Sequence, residues 1–501
     1  MESTGAWYPF LVLVVGMVVV LGGIVTLRVN AFLSLLAAAL VVSFMAGGGS
    51  EAATDPVARV VDAFASTVGA IGIVIALAAV IGESLMRSGS ADRIVRAFLA
   101  LLGEKRAATA MMSSGFVLSV PIFFDTAFYL LVPLARSLYR TTGRNYLKYL
   151  LAIGCGAVAT HALVPPTPGP LFVANVFDVN LGVMILVGAL VALPAAMAGL
   201  AFAIFMNRRM PLAPGGEHAR EGESAEGGGV DETQLPGLGL ALAPILLPIL
   251  LIAGNAVVQT LAHQQLIAAD PAARLLRGRE LTSAILQAAG DGSALAEMFR
   301  WTNILGNPNM ALFLAAMLAL ITLWTRRQYL VRPIPQLVES ALMSGGVIIL
   351  ITAAGGAFGA MLRAAGLGDA IQGLAESQIA GQESTSLLTG LPLLLLAFVL
   401  ASVLKFAQGS STTAMIVTSG MIVAMIDPAG LAFNAVYVAL AIGAGSLVGV
   451  WMNDSGFWIF AKMGGLTETE TLKTWTPLAA IVGAVAFVMA VLLAWLLPLN
   501  G

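Results

Sequence analysis

Charge is scarce in this chain. Of its 501 residues, 10% are Asp, Glu, Lys or Arg, against about 25% in soluble domains, which excludes water as the main solvent of its surface. The charge present is balanced, 25 basic to 27 acidic residues for a net charge of -2. That balance excludes a nucleic-acid partner recruited by a basic face, and a peripheral protein held to lipid by charge. A single cysteine, Cys155, excludes a disulfide framework and a thiolate metal cluster, and reads as a small buried apolar residue. Only three histidines occur, His161, His218 and His263, and the last two lie in polar segments, so an enzyme built on a nucleophile beside a histidine base has little to draw on. Zinc-ligand spacing, a Walker loop and a Rossmann glycine pattern are lacking. What the chain has in abundance is apolar sequence, 59% of it, with the charges clustered between long apolar runs. The bilayer is its solvent.

A helix crossing about 30 Å of hydrocarbon needs about 20 residues. Suitable stretches lie near 8–27, 31–48, 57–87, 149–178, 182–206, 236–258, 309–326, 335–363, 431–463 and 475–498, which predicts an all-α polytopic protein with about ten transmembrane helices. The first run is longer than a signal-peptide core and is soon followed by another, so it reads as a span. Two further apolar stretches, 107–135 and 386–427, carry polar or helix-breaking residues in their middles and read as re-entrant hairpins. Basic residues of short loops favour the cytoplasm: Arg87, Arg93, Arg96, Lys105 and Arg106, then Arg136, Arg140, Arg144 and Lys148, then Arg208 and Arg209, and later Arg326, Arg327 and Arg332. Glu51 and Asp55, with Asp369, Glu376 and Glu383, mark the other side, and both termini fall outside.

The segment 207–234, rich in Gly and Glu, reads as a cytoplasmic linker between a first half, 1–206, and a second, 235–501. A polar stretch near 259–305 reads as an outside loop. Gly82, Leu85, Gly89, Asp92 and Ile94 match Gly359, Leu362, Gly366, Asp369 and Ile371 at one constant offset, and each match precedes an interrupted stretch, a broken helix and a final span. With Arg87 inside and Asp369 outside, the halves are expected to form an inverted repeat.

Irregular backbone at membrane depth persists only where it faces protein or a wet cavity, so the interruptions are the candidate site. The first, Pro121-Ile122-Phe123-Phe124-Asp125-Thr126, places a carboxylate midway along an apolar run. Asp125 is either the proton carrier or a capping or paired structural acid. The second, Thr160-His161-Ala162-Leu163-Val164-Pro165-Pro166-Thr167-Pro168-Gly169-Pro170, admits no continuous helix. Either its freed carbonyls, with the hydroxyls of Thr160 and Thr167, line a site for a cation or a polyol, or the break is only a kink at a turn; His161 is either a titrating group or a packing residue. The third, Lys405-Phe406-Ala407-Gln408-Gly409-Ser410-Ser411-Thr412-Thr413, either offers N–H donors at a half-helix N-terminus for a carboxylate and hydroxyls for a sugar acid, or is a simple surface loop. Lys405 is either a counter-charge for the substrate or a snorkelling residue. The fourth, Trp451-Met452-Asn453-Asp454-Ser455-Gly456-Phe457-Trp458, holds the uncharged ligands Asn453 and Ser455. Its acid, Asp454, rivals Asp125 for the proton or serves as a turn residue.

These residues resemble the gluconate permease family of symporters: Pro121 to Thr126, His161 to Pro170, Gly355-Gly356-Ala357-Phe358, Gln408-Gly409-Ser410, and Asn453-Asp454-Ser455-Gly456-Phe457, in a resemblance running from about residue 5 to 498. It implies a multi-pass protein of the bacterial cytoplasmic membrane that imports gluconate or a related sugar acid with protons. Some branches carry D-serine or glycerate. It further implies membership of the ion transporter superfamily, a homodimer in lipid, a scaffold and a mobile domain in each protomer, and an elevator-type motion. The hairpin tips, with the breaks at 164–170 and 453–457, would then enclose the small anionic substrate, which puts Phe124, Gly169 and Gly409 among its neighbours. No cofactor beyond the coupling proton is implied. A sodium-coupled carrier of another small acid, a channel and a membrane enzyme are the rivals.

Overall fold

The computed structural model describes residues 7–46, 55–213, 235–269, 273, 278–289, 294–366, 370, 390–426, 431–452 and 454–499. The helices are α1 (Tyr8–Leu21), α2 (Ala31–Met45), α3 (Pro56–Arg87), α4 (Ser90–Leu102), α5 (Ala107–Leu118), α6 (Phe124–Thr142), α7 (Tyr146–Leu163), α8 (Pro168–Val176) and α9 (Leu181–Arg209). After the 214–234 segment come α10 (Leu238–Ala269), α11 (Gly278–Ala289), α12 (Ala294–Leu305), α13 (Pro308–Thr325) and α14 (Ile334–Ala364). The chain ends with α15 (Leu391–Gln408), α16 (Ser411–Met425), α17 (Val436–Gly445), α18 (Ser455–Gly464) and α19 (Glu468–Leu496).

Eight helices among the described residues are long and apolar enough to cross a membrane: α3, the α7–α8 stretch, α9, α10, α13, α14, α15 and α19. About ten were expected. The difference lies in α1 and α2, which are shorter apolar helices, and in 431–463, which divides into α17 and α18 of 10 residues each. The arm α15 of the second interrupted stretch is itself 18 residues long. Polar 259–305 is largely helical instead of an open loop: α10 continues to Ala269, and α11 and α12 close a small core of Val258, Ala262, Leu281, Ile285 and Phe299. Most of the expected linker, the residues Glu51, Asp369, Ile371, Glu376 and Glu383, and the site residue Asn453 lie outside the described residues.

Helix ends follow local chemistry. Asn30, Asp55, Asn180 and Asn307 accept from backbone N–H groups at the starts of α2, α3, α9 and α13, satisfying donors that have no partner within the helix. Thr467 and Glu470 form a reciprocal capping box on α19.

The centre of the bundle is α7. In its stretch with α8, 89% of the most apolar window is buried, against 39–56% in the other seven candidate spans, so this stretch faces protein nearly all round while the others face lipid on one side. Small residues permit that density: a Cβ on Gly115 of α5 would lie 2.6 Å from the carbonyl oxygen of Ile153 in α7. All ten residues of α17 are buried too.

The two halves use the same pairings. Helix α5 packs on α7 and α7 on α9, and likewise α15 packs on α17 and α17 on α19. Helix α8 rests on α16 and α18 on α6, while α3 packs on α14 and α9 on α19. The interrupted elements therefore converge from both halves.

Candidate functional site

Helix α15 stops at Gly409, whose φ of +79° is a left-handed conformation open to glycine at little cost. One turn earlier stands Lys405, 1% exposed. Its ammonium donates to the Gly409 carbonyl oxygen at 2.7 Å and pairs with the Asp454 carboxylate. Asp454, 7% exposed, caps α18, its Oδ1 accepting from the backbone N–H of Phe457 at 3.2 Å. Lys405 thus reaches no surface, which removes the snorkelling alternative, and Asp454 is a buried paired cap instead of a surface turn residue. A charge this deep is tolerated because both partners are matched and hydrogen-bonded.

Two more groups share the field of this pair. Asp125, half-buried in the first turn of α6, lies within electrostatic reach of Asp454 and Lys405, and so does His161 near the end of α7. The first break, left between α5 and α6, brings Asp125 there. Its carboxylate does not cap the helix, since the cap position is Phe123, and it has no hydrogen-bond partner among the described residues. The ring of His161 meets Phe123 edge-on, centroids 6.1 Å apart, and its Nδ1 is buried without a partner among the described residues. Gln408, beside Gly409, has both amide atoms buried and without a partner among the described residues. One ammonium, two carboxylates, one imidazole and one orphaned amide are gathered from four interrupted elements.

The hydroxyls divide. Ser410 caps α16, its Oγ accepting from the N–H of Thr413 at 3.2 Å and the Thr413 hydroxyl at 3.0 Å, so the third break does form a half-helix N-terminus. Ser411 donates to the Ser446 carbonyl at 2.9 Å, bridging the third break to the residues after α17. Thr160 donates to the Gly156 carbonyl of α7 at 3.3 Å, and Thr167 to the Val164 carbonyl of its own break at 2.7 Å. Gly169 packs against α16, where a Cβ would come 3.7 Å from the Cα of Thr412. Thr412 and Thr126 are half-buried and Ser455 is exposed at the start of α18. Phe124 is buried in an aromatic stack, 5.1 Å from Trp475 and 5.6 Å from Phe128 between ring centroids.

Sequence reasoning passed over Trp451 and Trp458. Their indole N–H groups donate to the carbonyls of Phe406 at 2.8 Å and Met452 at 2.7 Å, satisfying acceptors freed by the breaks. A tryptophan on each flank of a polar interruption was the available signal, because an indole N–H at such a place usually finds an acceptor. An apolar groove of about 700 Å³ lined by Trp324, Val338 and Leu342 shares no residue with the charged cluster; cavity size alone does not locate the chemistry.

An all-helical membrane bundle whose helices break around a buried charge pair and unpartnered polar groups is the architecture of a solute carrier. The chain belongs to the GntP family of permeases, whose family model matches residues 8–496; it is a multi-pass bacterial inner-membrane transporter, not an enzyme. It is 33% identical to a gluconate permease of Pseudomonas aeruginosa, covering 97% of both chains. It is 31% identical to the low-affinity gluconate transporter of Escherichia coli, covering 93% of each, and 28% identical to the Gnt-II system L-idonate transporter of Escherichia coli, covering 95% of this chain and 96% of that one. Among solved structures, the Alcanivorax borkumensis YdaH transporter matches with a TM-score of 0.54 at 13% identity, over 94% of this chain and 98% of that one, a likeness of fold alone.

Proposed function

We propose that this permease carries gluconate or a closely related sugar acid across the cytoplasmic membrane in symport with protons. The observation that carries the reading is the imbalance at the site: one ammonium, Lys405, faces two carboxylates, Asp454 and Asp125. Asp454 is committed to Lys405 and to the α18 N-terminus. Asp125 has no such tie, so a proton on Asp125 neutralises the cluster and its release restores a negative charge.

The substrate carboxylate is received at the N-terminus of α16, where backbone donors and the helix dipole favour an anion, beside the Gln408 amide. The Thr412 hydroxyl, with the free lone pairs of Ser411, Thr160 and Thr167, whose O–H groups are held by backbone carbonyls, is offered to the polyol chain. Gluconate and L-idonate, the solutes in the relatives' names, are both six-carbon polyhydroxy monocarboxylates and suit that division of donors and acceptors. The repeated pairings of the halves support an inverted repeat, with α5–α6 and α15–α16 as hairpins that move with α7–α8 and α17–α18 against a scaffold in an elevator-type cycle, in a homodimer.

Uptake of labelled gluconate into proteoliposomes tests the reading. An imposed inward proton gradient drives accumulation in sodium-free buffer, and an uncoupler abolishes it. Accumulation that ignores the uncoupler and requires sodium defeats the coupling claim. Saturable uphill flux separates a carrier from a channel.

A further inference from the structure

Lys405 delivers its ammonium to a place furnished for a bare cation. The residue lies four positions before Gly409, on the same helix face, so its stem runs forward to the C-terminus of its own helix. There the nitrogen meets the Gly409 carbonyl oxygen at 2.7 Å and the Asp454 carboxylate of the opposing break. A carbonyl freed at a helix end and a carboxylate are hard oxygen donors, the kind that replace the hydration shell of a small hard cation. The negative end of the α15 dipole points to the same spot. An independent sign of an unsaturated donor set lies next door: the amide oxygen of Gln408 is buried with no partner among the described residues.

We propose that Lys405 is a tethered resident cation filling an alkali-metal site, and that truncating it exposes a sodium site at Gly409 and Asp454. With the ammonium in place the site is neutralised without a dissolved ion, which leaves the proton as coupling ion; in that respect the inference rests on the proton-coupled reading. Removal of the side chain leaves Asp454 and Asp125 without a counter-charge and vacates the volume of an ammonium and its methylenes. Sodium, small and oxygen-seeking, restores the neutrality that a buried carboxylate requires.

Thermal unfolding of the full-length purified protein tests this in sodium, lithium, potassium or choline chloride at equal ionic strength, without substrate or gradient. The melting temperature of Lys405→Ala rises saturably with sodium and not with choline, since an ion that binds only the folded state stabilises it by mass action. Wild type melts alike in all four salts, and adding Asp454→Asn to Lys405→Ala removes the rise. Equal melting of Lys405→Ala in sodium and choline overturns the proposal, as does a sodium-induced rise in wild type. If Lys405→Ala is recovered folded only when purified in sodium, that recovery is the expected stabilisation; failure to recover it in any salt also overturns the proposal. A failure of proton-driven gluconate uptake would sink the proposed function and leave these melting curves unaffected.

Discussion

Lys405 and Asp454, 49 residues apart in the chain, meet as a buried ion pair whose ammonium also holds the Gly409 carbonyl at 2.7 Å. The contact ties the end of α15 to the start of α18, so one side chain joins two helix termini across two interruptions. Breaking it by removing one partner leaves the other charge buried and alone, which costs about 3–5 kcal/mol. Lys405→Met in potassium buffer is therefore expected to unfold at markedly lower temperature. Adding Asp454→Asn is expected to recover a large part of the loss, which a double-mutant cycle of denaturation measurements reads directly.

Asp125 separates coupling from binding. Asp125→Asn keeps size and polarity while removing the exchangeable proton, so proteoliposomes carrying it are expected to exchange labelled for unlabelled gluconate but not to concentrate it under an imposed pH gradient. Uphill uptake at the wild-type level would assign the proton elsewhere, with His161 the next group in the same field.

Gln408 offers a test of substrate contact that leaves stability untouched. Neither amide atom has a partner among the described residues, so Gln408→Leu loses no hydrogen bond described there and is expected to melt as wild type does. Loss of the bonds to substrate, at about 0.5–1.5 kcal/mol each, is expected to raise KM for gluconate about tenfold, 1.4 kcal/mol being a factor of ten. Unchanged KM would place the substrate away from the α16 N-terminus.

Helix contact within the second half is equally specific. A Cβ on Gly359 of α14 would lie 2.8 Å from the Cα of Gly420 in α16, and one on Gly420 would lie 3.0 Å from the Cα of Gly359. Gly420→Ala is expected to destabilise by about 1–3 kcal/mol as the backbones are forced apart. Gly346→Ala, in the same α14 but with nothing within 4 Å, is expected to be neutral or to stabilise by up to about 1 kcal/mol, because alanine loses less backbone freedom than glycine in a helix. Thermal melts of the two variants make the comparison.

Much of the fold was legible in the sequence because its causes are local. A run of about 20 apolar residues has few options in lipid other than a helix, and the expected 57–87 and 335–363 agree closely with Pro56–Arg87 and Ile334–Ala364. Prolines and glycines announced the breaks, since each removes or bends backbone pairing wherever it stands. The stretch 259–305 misled for the complementary reason: a search tuned to long apolar windows is blind to short amphipathic helices such as α11 and α12, whose small core forms only when they fold onto α10. The candidate site was legible as a set of residues but not as an arrangement. Phe124 stood in line with Asp125 and Thr126, yet it stacks on Trp475 at 5.1 Å, a partner that nothing local indicates.

By itself the sequence determined the solvent, the helical class, the family and the four interruptions, all consequences of hydrophobic run length and of residues that cannot continue a helix. Only the tertiary structure decided that Lys405 turns inward to Asp454 while Asp125 stays untied beside them. Coulomb energy and desolvation depend on distances between side chains far apart in the chain, and packing alone sets those distances.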